Sequence, residues 1–163
     1  MRKLFIIIGI SLSIIACNDT TVYSTYKPIK KSQWHKDSII NFTFKPVDTL
    51  SENNVYINLR NNNDYQYSNL FLIVGIDFPD NKSVVDTLEY EMTNAEGKFL
   101  GDGFTDLKEN KLEYKSKMIF PTTGAYNISV QHAMRKNGDV NGIMFLEGIT
   151  DVGLQIEKIT TND

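Results

Sequence analysis

The sequence has a single cysteine, Cys17, and only two histidines, His35 and His132. One cysteine cannot form an intrachain disulfide, and two distant histidines have neither the H-x-H nor the H-E-x-x-H spacing of metal sites. No G-x-S-x-G motif is present to expose a serine nucleophile. We therefore expect no metal ligand, no cofactor and no catalytic residue.

Clusters of basic residues are also absent, and acidic residues outnumber basic ones by 20 to 17. A protein that binds a nucleic-acid backbone needs a concentrated positive surface. The charge balance therefore excludes nucleic acid as an expected partner. It favours solubility and does not indicate a specific ligand.

Long hydrophobic runs are limited to one, from residue 4 to residue 16. This run is shorter than the roughly 20 residues that a membrane-spanning helix needs. It follows Arg2 and Lys3 and ends at Ala16, directly before Cys17, which is the pattern of a secretory signal peptide. The sequence Ile14-Ile15-Ala16-Cys17 resembles a bacterial lipobox, so we predict a signal peptide over 1–16 and a lipid on Cys17.

No segment sustains a period of 3.6 residues, and Pro28 lies in a polar stretch that ends near residue 36. We interpret residues 17–36 as the lipidated cysteine with a tether, and residues 37–160 as one folded domain. From residue 38 onward, apolar and polar residues alternate with a period of two, as in half-buried strands. The alternating segments are 40–44, 55–59, 112–120, 126–130 and 152–156, with further strands predicted over 84–92 and 142–149.

The segment from Leu70 to Phe78 is apolar in both phases, which predicts a central strand covered on both faces. Turn residues separate the strands, and Asn137-Gly138 is a strong hairpin signal. About eight strands with regular turns predict an all-β, antiparallel two-sheet β-sandwich of the jelly-roll or Ig-like type. His132 continues the inward phase of its strand, so we expect it to be hydrogen-bonded and partly buried.

Two loops are candidates for a site: one contains glycine and aspartate (101–106), and the other is rich in asparagine and contains Tyr65 and Tyr67. The run from Gly101 to Asp106 has neither the ligand spacing of a calcium loop nor that of a dinucleotide loop, so we interpret it as a tight bend. Tyr and Arg are enriched where proteins bind proteins. On that ground Arg60, Tyr65, Tyr67 and Arg135 are candidate partner contacts, although tyrosine also commonly caps the ends of sandwiches.

A set of short segments resembles the gliding-motility lipoprotein H family (GldH) of Bacteroidetes-type bacteria in order and spacing. The matching segments are Trp34 before Asp37, Leu59-Arg60-Asn61, 65–70, Asp86-Thr87, 97–101, 120–126, 131–135 and 148–157. Phe99 stands where the family pattern has tryptophan.

The resemblance implies a non-enzymatic, lipid-anchored cell-envelope protein that serves gliding through contacts with other gliding or secretion-machinery proteins. We expect the outer membrane, with the domain facing the periplasm. The alternative is a carbohydrate-binding envelope lipoprotein, because sandwiches with Tyr/Asn/Asp-rich loops often carry sugar sites. A third, weaker alternative is an envelope hydrolase.

Overall fold

The computed structural model describes residues 20–160, which form ten β-strands and one short 3-10 helix. The strands are β1 Thr21–Pro28, β2 Gln33–His35, β3 Ile40–Phe44, β4 Asn53–Asn61, β5 Asn69–Asp77, β6 Ser83–Glu91, β7 Lys108–Met118, β8 Tyr126–His132, β9 Phe145–Glu147 and β10 Ile149–Lys158. The 3-10 helix spans Lys30–Ser32. No α-helix occurs among these residues.

Eight of these strands form two antiparallel sheets of four. The first sheet has the order β1-β10-β4-β7 and the second has the order β3-β8-β5-β6. The remaining two strands, β2 and β9, pair with each other in a small separate ribbon. The all-β fold and the two-sheet sandwich predicted from the sequence are therefore confirmed.

The hydrophobic core lies between the two sheets and follows from the alternation of the strands. On β4 the residues Val55, Ile57 and Leu59 are buried, and on β10 their cross-strand partners Ile156, Leu154 and Val152 are buried as well. The second sheet contributes the buried set Phe42, Phe44, Leu70, Leu72, Val74, Ile76, Tyr126, Ile128 and Val130. The chain holds no disulfide, so the folded state depends on this packing.

Strand β5 is internal in the second sheet, since it pairs with β6 on one side and β8 on the other. Its core-facing residues are fully buried, whereas Phe71 and Ile73 on the other face are only half-buried. The central position is therefore confirmed. The expectation that both faces are covered is wrong to the extent that Phe71 and Ile73 keep part of their surface exposed on the outer face.

The tether predicted over residues 17–36 is wrong from Thr21 onward. Residues Thr21–Pro28 form β1, which pairs along its whole length with β10 at the edge of the first sheet. Trp34 on β2 is fully buried. The sandwich therefore begins at Thr21 rather than at residue 37, while the predicted signal peptide 1–16 and Cys17 lie outside the described residues.

The strand registers divide the loops between two ends of the sandwich. The N-terminal end contains Thr20, the C-terminus of β10 and the loop 45–52, because Thr21 pairs with Glu157 and Asn53 pairs with Lys158. The opposite end contains the loops 62–68, 92–107 and 133–144, because β4 ends there beside the first residues of β7 and β10.

Candidate functional site

A network of polar side chains lies on the outer face of the first sheet and includes the candidate contact residue Arg60. Arg60 Nε donates to Glu109 Oε2 at 2.8 Å, and the Tyr26 hydroxyl donates to Glu109 Oε1 at 2.7 Å. The Arg60 guanidinium also lies 4.1 Å from the centre of the Tyr26 ring. Residues from β1, β4 and β7 thus bond to one another, and about 33% of the Arg60 side chain stays exposed.

Glycine at position 153 makes this arrangement possible. Tyr26 and Gly153 are direct cross-strand partners, and a Cβ on Gly153 would lie 2.8 Å from Tyr26 Cδ1. The tyrosine ring therefore lies flat on the sheet beneath Arg60. Burial, followed by the hydrogen bond to Glu109, raises the pKa of Tyr26 to about 12. The phenol thus stays protonated and acts only as a hydrogen-bond donor in this network of polar side chains.

Tyr65 is a core residue rather than a surface contact. Its side chain is buried, and its hydroxyl donates to the Asn69 carbonyl oxygen at 2.6 Å. Tyr67 packs on it edge to face at 5.8 Å between ring centres and is only half-buried. The prediction that Tyr65 contacts a partner is therefore wrong, because a buried tyrosine with a satisfied hydroxyl offers no surface.

Arg135 is the one exposed member of the four candidate residues. It follows β8 and forms a bridge with Gly142 across the turn that contains Asn137 and Gly138. Gly138 has a φ of 81°, in the left-handed region that the Asn-Gly hairpin signal predicts. Arg135 therefore lies at the base of an exposed hairpin at the opposite end.

His132 is buried at the end of β8, with Nε2 3.0 Å from the carbonyl oxygen of Trp34. Its ring packs edge to face on Trp34, with 5.4 Å between ring centres. Burial lowers the pKa of His132, so the ring is neutral at pH 7. The prediction of a hydrogen-bonded histidine near a strand end is confirmed, and this environment indicates a structural role.

The strongest surface feature at the opposite end was missed by the sequence reasoning. Six large apolar side chains are exposed at this end, five in its two long loops and one at the start of β9: Leu100, Phe104, Leu107, Val140, Met144 and Phe145. Phe104 is the most exposed of them, at 110% of its reference area. It borders an open groove of about 890 Å³ that residues 97–103, Asn63 and Lys108 line.

Four polar side chains line this groove, and two of them, Asn63 and Lys108, are already hydrogen-bonded within the protein, whereas Lys98 and Asp102 are the other two. Lys108 Nζ donates to the Gly103 carbonyl oxygen at 2.6 Å, and Asn63 Nδ2 donates to Asp106 Oδ1 at 3.0 Å. The loop 101–106 forms a tight bend closed by the bridge between Asp102 and Glu109, as predicted. The groove therefore presents mainly apolar groups to a ligand.

Comparison with known families identifies the chain. The sequence model described as GldH lipoprotein matches residues 21–156, from the first residue of β1 almost to the end of β10. The chain belongs to the GldH lipoprotein family. The resemblance drawn from the short segments is therefore confirmed, and β1 lies within the conserved family region as well as within the sandwich.

Two curated relatives of the GldH lipoprotein family match over nearly their full lengths. A protein named gliding motility lipoprotein GldH homolog, from Christiangramia forsetii, is 52% identical over 96% of this chain and 95% of its own. The gliding motility lipoprotein GldH of Flavobacterium johnsoniae is 43% identical over 91% of each chain. The family is not a known enzyme family.

Solved structures are more distant from this GldH lipoprotein. The VP2 subviral particle of infectious bursal disease virus matches with a TM-score of 0.36 and 14% identity, over 95% of this chain and 37% of that chain. The particle structure of the Gx strain matches with a TM-score of 0.38. Likeness at this level supports no conclusion about function.

Residues 20–160 contain neither a cluster of potential metal ligands nor a helix that could cross a membrane. Within that range no three His, Cys, Asp or Glu side chains come close enough to hold a metal ion. The same range contains no helix with the length and hydropathy to cross a membrane.

Proposed function

We propose that this protein is a lipid-anchored, non-enzymatic component of the cell envelope that serves gliding motility by binding another protein. The partner belongs to the gliding or secretion machinery, and the contact surface is the opposite end of the sandwich. Membership of the GldH lipoprotein family, with relatives named for gliding motility, is the observation that supports this proposal most strongly.

The anchor in this proposal is a lipid on Cys17. Cys17 is the only cysteine in the chain, and a bacterial lipoprotein carries its lipid on a cysteine. Two or more acyl chains would hold the protein stably on a bilayer, since each buried CH₂ contributes about 0.8 kcal/mol. We place the domain on the periplasmic side of the outer membrane.

Exposed apolar groups support the opposite end as the protein-binding surface. Interfaces are enriched in aromatic residues and methionine near their centres, and Phe104, Met144 and Phe145 are all exposed at this end. Arg135 lies in the same group of loops and can supply a charge at the rim. Partner binding would remove this apolar surface from water at about 25 cal/mol per Å².

Carbohydrate binding is the second candidate function, because a groove lies beside Phe104. A sugar site needs an aromatic platform together with free polar groups that can reach hydroxyls. Phe104 could supply the platform, but of the four polar side chains in the groove only Lys98 and Asp102 are left, since Asn63 and Lys108 are already hydrogen-bonded within the protein. The number of exposed apolar side chains at this end favours an apolar protein partner over a glycan.

The proposal is tested by deleting the gene, complementing the deletion strain with each variant and measuring gliding. Deletion of the gene should abolish gliding, and Phe104→Ser should restore it poorly. The matched control is Val85→Ser, which also changes an exposed apolar residue, but on the outer face of the second sheet. His35→Gln should restore gliding at normal protein abundance, and His132→Gln should restore it to the extent that the variant accumulates, because no catalytic step depends on either ring.

The two arginines provide a second comparison in the same strains. Arg135→Glu should leave abundance unchanged and weaken gliding, since reversal of a rim charge slows association with the partner. Arg60→Glu should instead lower abundance, because it places a carboxylate beside Glu109. Normal gliding of the deletion strain would refute the motility function. The carbohydrate alternative would be favoured by two results together: the Phe104→Ser strain glides normally, and the unchanged protein binds a glycan that the Phe104→Ser protein does not bind.

A further inference from the structure

Two apolar side chains project into solvent from the loop 45–52 at the N-terminal end of the sandwich. Val47 exposes 103% and Leu50 exposes 85% of its reference area. Val47 also borders a groove of about 260 Å³, which is lined by the apolar residues Val22, Phe44 and Pro46 and by the polar residues Lys45, Asp48, Asn53 and Lys158. This end of the sandwich therefore has an apolar surface of its own, separate from the one around Phe104.

The loop is held in a defined shape by Asp48, which lies between the two apolar residues. Asp48 Oδ1 accepts from the backbone N–H groups of Leu50 and Ser51 at 2.9 and 3.1 Å. Asp48 Oδ2 accepts from Ser51 Oγ at 2.6 Å and from Lys158 Nζ at 2.8 Å. The turn is thus tied to the end of β10, and Val47 and Leu50 are kept outside the core.

The same loop lies beside the point where the chain enters the domain. Lys158 N–H donates to the Thr20 carbonyl oxygen at 2.8 Å, and Ile159 N–H donates to the Glu52 carbonyl oxygen at 2.9 Å. Thr20 is three residues after Cys17. Three residues span at most about 11 Å, which is of the same order as the headgroup layer of a bilayer.

We propose that the N-terminal end of the sandwich lies on the bilayer surface, with Val47 and Leu50 inserted among the lipid headgroups. This orientation rests on the proposed acylation of Cys17, because a lipid on that residue brings Thr20 and the adjoining loop to the membrane. Anchoring makes the second contact intramolecular and raises its effective concentration. Two apolar side chains can then fix an orientation that they could not maintain from solution.

The orientation also decides which surface faces a partner. Strand β4 has nine residues and is therefore about 30 Å long. The opposite end, with Phe104 and Val140, would lie that far from the headgroups. Asp48 pairs with Lys158, and the loop's other two charges, Lys45 and Glu52, are of opposite sign, so the contact should form on uncharged lipid.

The experiment exploits the single cysteine. Acylation consumes Cys17, so a cysteine introduced elsewhere becomes the only free thiol in the lipidated full chain. Val47→Cys and, as a matched control, Val140→Cys are each labelled with an environment-sensitive NBD dye and reconstituted in phosphatidylcholine vesicles. Val140 is 92% exposed at the opposite end. The dye at position 47 should shift to the blue, gain intensity several-fold and be quenched by a lipid-borne quencher, whereas the dye at position 140 should behave as it does in water.

Each other outcome overturns a defined part of the proposal. Co-sedimentation with vesicles but a water-like dye at position 47 would refute the orientation and leave the anchor intact. A shift at position 47 that disappears when the protein is diluted over more vesicles would assign this loop to contact between two copies of the chain. A protein that does not co-sediment would refute acylation of Cys17, and the orientation with it.

Discussion

Replacing Leu72 with alanine should destabilise the sandwich more than any comparable change on its surface. Leu72 lies on the internal strand β5, between Leu88 on one neighbouring strand and His132 on the other. Its side chain has no exposed area. Truncation therefore removes buried methyl groups and leaves a cavity between two sheets that are held in place by their other strands.

The expected loss follows from that burial. A fully buried leucine replaced by alanine costs about 2–5 kcal/mol, and the cost is higher where the surroundings cannot collapse. Domains of this size have a total stability of about 5–15 kcal/mol. For this size class each kcal/mol lowers Tm by about 2–4 °C, so the midpoint should fall by roughly 4–20 °C.

Urea titration of the domain, followed by fluorescence, measures this change directly. Trp34 is the only tryptophan and is fully buried, so its emission reports opening of the core. The control is Val85→Ala on the adjacent strand β6, where 67% of the side chain is exposed and the expected loss is under about 0.5 kcal/mol. If Leu72→Ala lost no more stability than the control, the assignment of β5 to the core would be refuted.

Two further predictions concern pH and backbone strain. Because burial lowers the pKa of His132 below its usual 6.5, the unfolded chain binds this proton more tightly, and stability should fall as pH drops below 6.5 through the folded pKa. His132→Gln should reduce this slope in urea titrations at several pH values, and an unchanged slope would contradict the assignment. Gly148→Ala should lower Tm far more than Gly97→Ala, although both glycines have positive φ, because only at Gly148 would the new Cβ meet backbone, 2.2 Å from Tyr65 N. Equal losses at the two glycines would mean that the contact with Tyr65 relaxes freely.

Internal strands were predicted well from the sequence because burial on one face imposes strict alternation. In β4 the core-facing residues Val55, Ile57 and Leu59 recur at every second position, as do Val152, Leu154 and Ile156 in β10, so the period of two is visible without a structure. Strand β1 gives no such signal. It is an edge strand whose residues are at most half-buried, with Val22 exposed, so its sequence resembles that of a polar linker.

The candidate site was harder to predict because residues of the same type differ in burial there. Tyr65 and Tyr67 are two positions apart, yet only Tyr65 is buried, since its hydroxyl reaches a carbonyl oxygen across a tight loop. Arg60 meets Glu109, which is 49 positions away, through the pairing of β4 with β7. Such contacts depend on strand order, which the period of two does not encode. Exposed Phe104 has no sequence signal, because a lone phenylalanine in a loop is as often buried.

The pairing of β1 with β10 has a mechanical consequence for a protein that serves movement. Strand β1 leads toward the proposed anchor at one end, while the proposed partner surface lies at the other. A pull between the two would act along the strand axis, so the hydrogen bonds that join the eight residues of β1 to β10 would be loaded together in shear. They would resist as a set rather than opening one after another as in unzipping. The edge strand is thus oriented to transmit tension between membrane and partner.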